Sequence, residues 1–237
     1  FVLSLILFTF YSTYYAGLPW SIAVLFGLCT MAVYLVMGRM IAETGVFFIV
    51  TAGTPATIIL AVLGPKALGP AAILTMFMFC LILFYDPREA LMPFVVNALK
   101  LADDTKVKVG RSAAMIVLAL VVGLGVGIPV TLYFQYNRGI DLSAWQNQQS
   151  QNPFNETIAN MQRLEAQGQL QDAGTATGLA RYTGAQPHKQ GMIVFGVAAG
   201  CVLLFSALRL RFTKWPFHPV MFLVWSTYSG KCFAQSF

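Results

Sequence analysis

The sequence predicts an all-α, polytopic transmembrane helical bundle, and three observations carry that prediction. Of 237 residues, 57% are hydrophobic and only 10% charged, against about 25% charged in an ordinary soluble domain. Stretches without Lys, Arg, Asp or Glu run over 1–38, 44–65, 67–85, 112–137, 190–208 and 215–230, and about 20 apolar residues cross a bilayer as a helix. Basic residues collect at the ends of these stretches, where a positive-inside bias puts them. About six spans follow from this pattern, together with one broken or re-entrant helix and one polar extramembrane loop.

Composition sets several function classes aside. The formal charge of +6 is scattered over span ends rather than gathered on one soluble face, which argues against a nucleic-acid partner. Cys29, Cys80 and Cys201 lie in apolar runs and Cys232 near the end, without Cys-x-x-Cys spacing; such cysteines fill small buried apolar positions. His188 and His218 are the only histidines, and no Gly-x-Ser-x-Gly elbow is present, so neither a histidine-rich metal set nor a hydrolase nucleophile is expected. The expectation is a non-enzyme with no cofactor and no catalytic or metal-binding residue. The opening Phe1-Val2-Leu3-Ser4-Leu5 reads as the middle of a span, and Trp215–Phe237 as the start of another, so the chain reads as an internal piece of a longer protein.

Residues 1–12 end the first helix, and Tyr11, Tyr14, Tyr15 and Trp20 crowd the turn that holds Gly17 and Pro19. Aromatic side chains favour the membrane–water interface. The second helix is expected from about Trp20 to Arg39, with Pro19 at its opening. The following run, 44–65, is interrupted at Thr51-Ala52-Gly53-Thr54-Pro55, because proline removes a backbone donor and clashes with the preceding turn. It either crosses as a broken helix or returns to its own side as a re-entrant hairpin. Crossing puts nine Lys and Arg inside and five clearly outside, whereas re-entry inverts eight of the nine, so the positive-inside bias favours a crossing.

Asp86-Pro87-Arg88-Glu89 carries a helix-start signature, with Asp86 as cap and Glu89 three positions on. Leu91, Val95, Ala98, Leu99 and Ala102 then recur at helical spacing, which makes 86–111 an amphipathic segment on the inner surface. Residues 112–135 form a span with Gly123, Gly125, Gly127 and Pro129 in its second half, small residues that let helices approach closely in lipid. Residues 138–189 are polar, with four positive and four negative side chains, and form an extramembrane loop between membrane parts 1–137 and 190–237. Within it, Asn152-Pro153 opens a helix whose Phe154, Ile158, Met161 and Leu164 share a face, expected to dock on the membrane part or a neighbouring subunit. Residues 191–208 return to the basic Arg209, Arg211 and Lys214.

Arg39 and Glu43 are four residues apart and neutralise each other if they share a continuous helix. With Gly53, Thr54 and Pro55 they form the candidate substrate or ion path, since transporters place half-helix ends and exposed backbone groups at such breaks. Asp86, Arg88 and Glu89 are candidates for a gating or structural polar cluster. His218 joins them because imidazole titrates near neutrality.

Arg39-Met-Ile-Ala-Glu43-Thr-Gly45, Asp86-Pro-Arg-Glu89 with Asn97-Ala-Leu-Lys100-Leu-Ala-Asp103, and Trp215-Pro-Phe-His218-Pro219 occur in that order. In these motifs and their spacing the chain resembles a bacterial polytopic membrane family of domains of unknown function. That family itself resembles the oligopeptide transporter superfamily. The resemblance covers nearly the whole chain and implies a larger helical bundle in the bacterial inner membrane, with 86–111 and 209–214 cytoplasmic and 138–189 periplasmic. It implies secondary transport of a small solute. The expected partners are the lipid bilayer, the remainder of a longer chain or neighbouring membrane subunits, and in a homo-oligomer a second copy. The alternative is a non-catalytic anchoring subunit of a larger membrane complex, held through 138–189.

Overall fold

The computed structural model describes residues 2–44, 53–84, 91–139, 144–175 and 178–212. Among these the chain is all helical: α1 (Val2–Tyr14), α2 (Trp20–Thr44), α3 (Pro55–Leu68), α4 (Pro70–Leu83), α5 (Leu91–Asp104), α6 (Val109–Arg138), α7 (Ala144–Ala166) and α8 (Lys189–Arg211), with a short 3-10 helix at Gly178–Gly184. Trp20–Ala42, Val109–Arg138 and Lys189–Arg211 are long and apolar enough to cross a membrane. Helices α1, α3 and α4 are apolar but have only 13, 14 and 14 residues. Fourteen helical residues reach about 21 Å, short of a hydrocarbon core of about 30 Å. Among the described residues three candidate spans thus stand where about six were expected, and the expected span over 215–230 lies outside the described residues.

The core forms where α2, α3 and α4 meet. Leu18, Ile22, Ala23 and Phe26 pack with Ala56, Ile59 and Leu63 of α3 and with Ala72, Ile73, Met76 and Cys80 of α4. Phe8 of α1 closes one side, its ring 6.0 Å from Phe26 and 5.6 Å from Phe79. Helix α4 runs in the same direction as α2. The Thr75 hydroxyl in its first half lies 3.5 Å from the Ala16 carbonyl in the α1–α2 turn, and the Leu83 carbonyl at its end accepts from the Tyr34 hydroxyl at 2.5 Å. At the other end of α2, Met37, Met40 and Ile41 are buried, and α5 packs on α2.

A corner of two Gly-Pro pairs joins α3 to α4, and it explains why neither is a full span. Gly64 takes φ 79°, outside helical space, and Gly69 takes φ 75°; both values belong to the left-handed region that glycine enters without a Cβ clash. Pro65 and Pro70 lack the N–H groups that would bond the carbonyls four residues back, Ala61 and Lys66. Those two carbonyls accept instead from the backbone of the later polar segment, His188 N–H to Ala61 at 3.0 Å and Gly174 N–H to Lys66 at 3.2 Å. The Leu63 carbonyl, released by the kink, accepts from Gln186 N–H at 3.0 Å. Gly174, Gln186 and His188 thus strap the corner. The approach is close enough that a Cβ on Gly64 would sit 2.5 Å from the Gln186 oxygen.

Three expectations need correction. Helix α2 continues to Thr44 instead of ending at Arg39, so Arg39 and Glu43 lie on one helix; Met40 and Ile41 extend its apolar face beneath α5. Helix α7 begins at Ala144 with Pro153 in its interior, so Asn152-Pro153 does not open it. The docking face of α7 is also shifted. Pro153, Thr157, Asn160 and Leu164 are buried where α7 packs along α4, whereas Phe154, Ile158 and Met161 remain 46%, 50% and 37% exposed. Thr157 Oγ1 donates to the Pro153 carbonyl at 2.7 Å and Asn160 Nδ2 to the Glu156 carbonyl at 2.8 Å. Their polar atoms are satisfied within α7, and compact side chains permit close helix approach.

The corner makes a direct stability prediction. Gly64→Ala combines a left-handed backbone with a clash against Gln186 and should lower unfolding stability in detergent by about 1–3 kcal/mol. Gly123→Ala, in open helical surroundings, should cost nothing measurable. Equal stability of the two variants would mean that the strap does not close on the corner.

Candidate functional site

The site is built around the first turn of α3. Thr54 is extended at φ −87°, ψ 159° and precedes Pro55 at the first helical position, an arrangement in which proline forfeits no helical hydrogen bond. The Thr57 amide lies 3.4 Å from Thr54 Oγ1, the Ile58 amide donates to the Thr54 carbonyl at 3.0 Å, and the Thr57 hydroxyl donates to that carbonyl at 2.7 Å. Gly53 and Thr54 are half-buried, and Pro55 and Ala56 are buried. The sulfur of Cys80, a residue 5% exposed, lies against the Thr54 hydroxyl and the Ala56 backbone.

Packing fixes how deep this helix start lies. Phe79, beside Cys80, meets Phe26 with ring centroids 6.0 Å apart, and one α4 turn later Phe84 stacks on Tyr34 at 4.7 Å. Cys80 and the start of α3 are therefore level with the stretch of α2 between Phe26 and Tyr34, near the middle of its Trp20–Ala42 apolar run. From there α3 rises to the strapped corner at the α1–α2 turn. Between Thr44 and Leu68 the chain passes from the α5 end of α2 to the opposite end, with a half-helix start near the middle. On α2, the Thr30 side chain lies between Phe26 and Tyr34 in sequence, on a residue 8% exposed, and its hydroxyl has no hydrogen-bond partner among the described residues.

The sequence-predicted residues do not all meet here. Gly53, Thr54 and Pro55 form the break as expected. Arg39 is exposed in the last turns of α2, beyond the level of Tyr34, and Glu43 follows one turn later; the side chain of Glu43, like Asp86, Arg88, Glu89 and His218, lies outside the described residues. The described groups placed against the start of α3 are a thiol, hydroxyls and backbone amides. Among the described residues no group of three or more His, Cys, Asp or Glu is placed to hold a metal ion. The partial positive charge of a helix start makes such a place suited to a carboxylate or a neutral polar group.

Residues absent from the sequence reading also contribute. Cys80 and Thr30 sit in apolar runs where neither spacing nor charge marks them. Arg181, counted with the loop charges, is only 5% exposed in the 3-10 helix that packs on α3 and α2. Burial pushes its guanidinium below the ordinary value, partly offset by Tyr182. No local pattern separates a buried loop arginine from a solvated one.

The burial of Cys80 leads to a labelling order. With a small maleimide and the folded protein in detergent, Cys201, half-buried on α8, should be modified well before Cys80; after denaturation both should react. Equal rates in the folded state would mean that the start of α3 is open to solvent.

A family model described as Family of unknown function (DUF6785) matches residues 1–237. No curated protein and no solved structure matches the chain.

Proposed function

We propose that this chain, which belongs to the Family of unknown function (DUF6785), is the solute-handling part of a secondary-transporter-like membrane protein. The observation that carries the reading is the half-helix start at Thr54-Pro55, faced by Cys80 and level with the middle stretch of α2, the stretch that carries the unpartnered hydroxyl of Thr30. Discontinuous helices with their starts near the bilayer midplane hold substrate groups in many secondary transporters. A buried hydroxyl without a partner calls for an explanation; Thr9 and Ser12 of α1 and Ser21 at the start of α2 share that condition, and Thr30 is the one at the level of the α3 start. A small solute with a carboxylate or neutral polar group would supply the missing hydrogen bonds. Binding requires α4 to part from α3, because Ala56 and Cys80 are buried.

In this reading Arg39 and Glu43 stand at the inner mouth of the path rather than at its centre. Asp86, Arg88, Glu89 and His218 are gating or structural polar groups on the same side. The membrane is a bacterial cytoplasmic membrane, with 86–111 and 209–214 cytoplasmic and 138–189 periplasmic. Kinship with the oligopeptide transporter superfamily belongs to this proposal and rests on the motif order.

A second reading is favoured by one observation. Phe154, Ile158 and Met161 form an exposed apolar stripe on α7, as an anchoring subunit of a larger complex would have.

One experiment separates the two. The purified protein is reconstituted into proteoliposomes and screened for uptake of small carboxylates and neutral polar solutes. Transport predicts a flux that Thr54→Val reduces at least about tenfold, the effect of losing roughly 1.4 kcal/mol of solute binding, and that Glu43→Gln and Arg39→Ala also reduce. If flux is detected and none of these variants changes it, the site assignment fails. If no flux is found and the protein purifies only with stoichiometric partners, the anchoring reading replaces transport.

A further inference from the structure

The end of the molecule opposite the strap carries a surface that transport does not use. Helix α5 closes in a tight turn. Lys106 N–H bonds the Asp103 carbonyl at 3.0 Å, and Val107 N–H bonds the Ala102 carbonyl at 2.9 Å. Lys106 adopts φ 57°, a left-handed backbone at a helix end where glycine is the relaxed choice. A lysine is held there at a conformational cost. Three residues on, Val109 begins α6, the longest apolar helix among the described residues.

Lys106, Lys108 and Arg111 are all exposed on this elbow. Lys100 is taken by Asp104 at 2.7 Å and lies 4.0 Å from Asp103, but the other three cations have no ion pair among the described residues. Large apolar side chains alternate with them, Leu101 at 65%, Val107 at 50% and Val109 at 38% exposure. The far end of α6 differs, with the single Arg138 lying over the Phe134 ring at 5.6 Å. Because α6 crosses the bilayer, the elbow is held where its span begins, at headgroup depth. Cations interleaved with apolar side chains at that depth match a lipid with an anionic head and an apolar tail.

We propose that the α5–α6 elbow is a docking surface for anionic phospholipid, in which Lys106, Lys108 and Arg111 meet headgroup phosphates and Leu101, Val107 and Val109 enter the acyl boundary. The surface is independent of the transport reading and would stand without it. The test uses the full chain reconstituted in vesicles of phosphatidylcholine with a minority of phosphatidylglycerol, then extracted for native mass spectrometry of retained lipid.

The expected result is enrichment of phosphatidylglycerol over its share in the vesicle by at least about fivefold, the effect of one Lys or Arg beside an anionic surface. The enrichment should fall to the vesicle ratio in K106Q/K108Q/R111Q and persist in R138Q/K189Q. It should also weaken for the unmodified protein in about 0.5 M salt, where the screening length is well under 10 Å; that arm does not depend on any variant folding. Absence of enrichment, or equal loss in R138Q/K189Q, overturns the proposal. So does displacement of the lipid by inorganic phosphate at equal concentration, which would identify a site for free anions.

Discussion

A backbone carbonyl inside an apolar protein needs a donor, and at the α3–α4 corner the chain has removed two of its own. Pro65 and Pro70 cannot bond Ala61 and Lys66, and the kink at Gly64 releases Leu63 as well. Leaving such groups unpaired in an apolar medium costs several kcal/mol each, roughly the range of isolated polar-group transfer. His188, Gly174 and Gln186 supply the missing N–H groups. Gly69 and Gly174 allow the two backbone segments to meet, a Cβ on Gly69 falling 2.9 Å from the Gly174 Cα and one on Gly174 3.2 Å from the Gly69 Cα. The polar segment between α6 and α8 is therefore part of the bundle, and it sets where α3 ends.

That constraint also sets where α3 begins. With its far end strapped beside the α1–α2 turn and only 14 residues in the element, α3 starts near the middle of α2 instead of at the membrane surface. Thr54 caps it, and Cys80 and Ala56 close around the cap. Among the described residues the half-helix start lies in the core beside hydroxyls and a thiol, while charged side chains of the membrane part stand at its ends: Arg39 near the end of α2, Lys106, Lys108 and Arg111 at the elbow before α6. This separation follows from solvation, since hydroxyls and thiols are tolerated in an apolar interior where an ionised side chain needs a partner.

Much of this was legible in the sequence. Long charge-free runs gave α6 and α8 nearly to their ends, and Gly53-Thr54-Pro55 marked the start of α3 because cap and proline chemistry are local. The rest depends on partners far along the chain. The breaks at Gly64-Pro65 and Gly69-Pro70 were not singled out in the sequence, and nothing local says that Gly174, Gln186 and His188 fill them. The docking face of α7 was read only in part: of the apolar face Leu164 is buried but Phe154, Ile158 and Met161 stay exposed, whereas α4 receives Pro153, Thr157 and Asn160. Against a helix that is itself apolar, close approach of compact side chains decides the contact more than hydrophobicity does. Arg181 and Thr30 were invisible for a similar reason: their burial is set by elements they are not adjacent to in sequence.

The central claim is that the backbone donors of Gly174, Gln186 and His188 satisfy the carbonyls orphaned by the two prolines and the kink at Gly64. Residue-resolved hydrogen–deuterium exchange on the protein in lipid nanodiscs tests it directly. The amides of Gly174, Gln186 and His188 should exchange orders of magnitude more slowly than the same amides in an unstructured peptide, and Gly64→Ala should release Gln186 and His188 together. Exchange of all three at unstructured rates in the unmodified protein would contradict the strap, and with it the placement of α3.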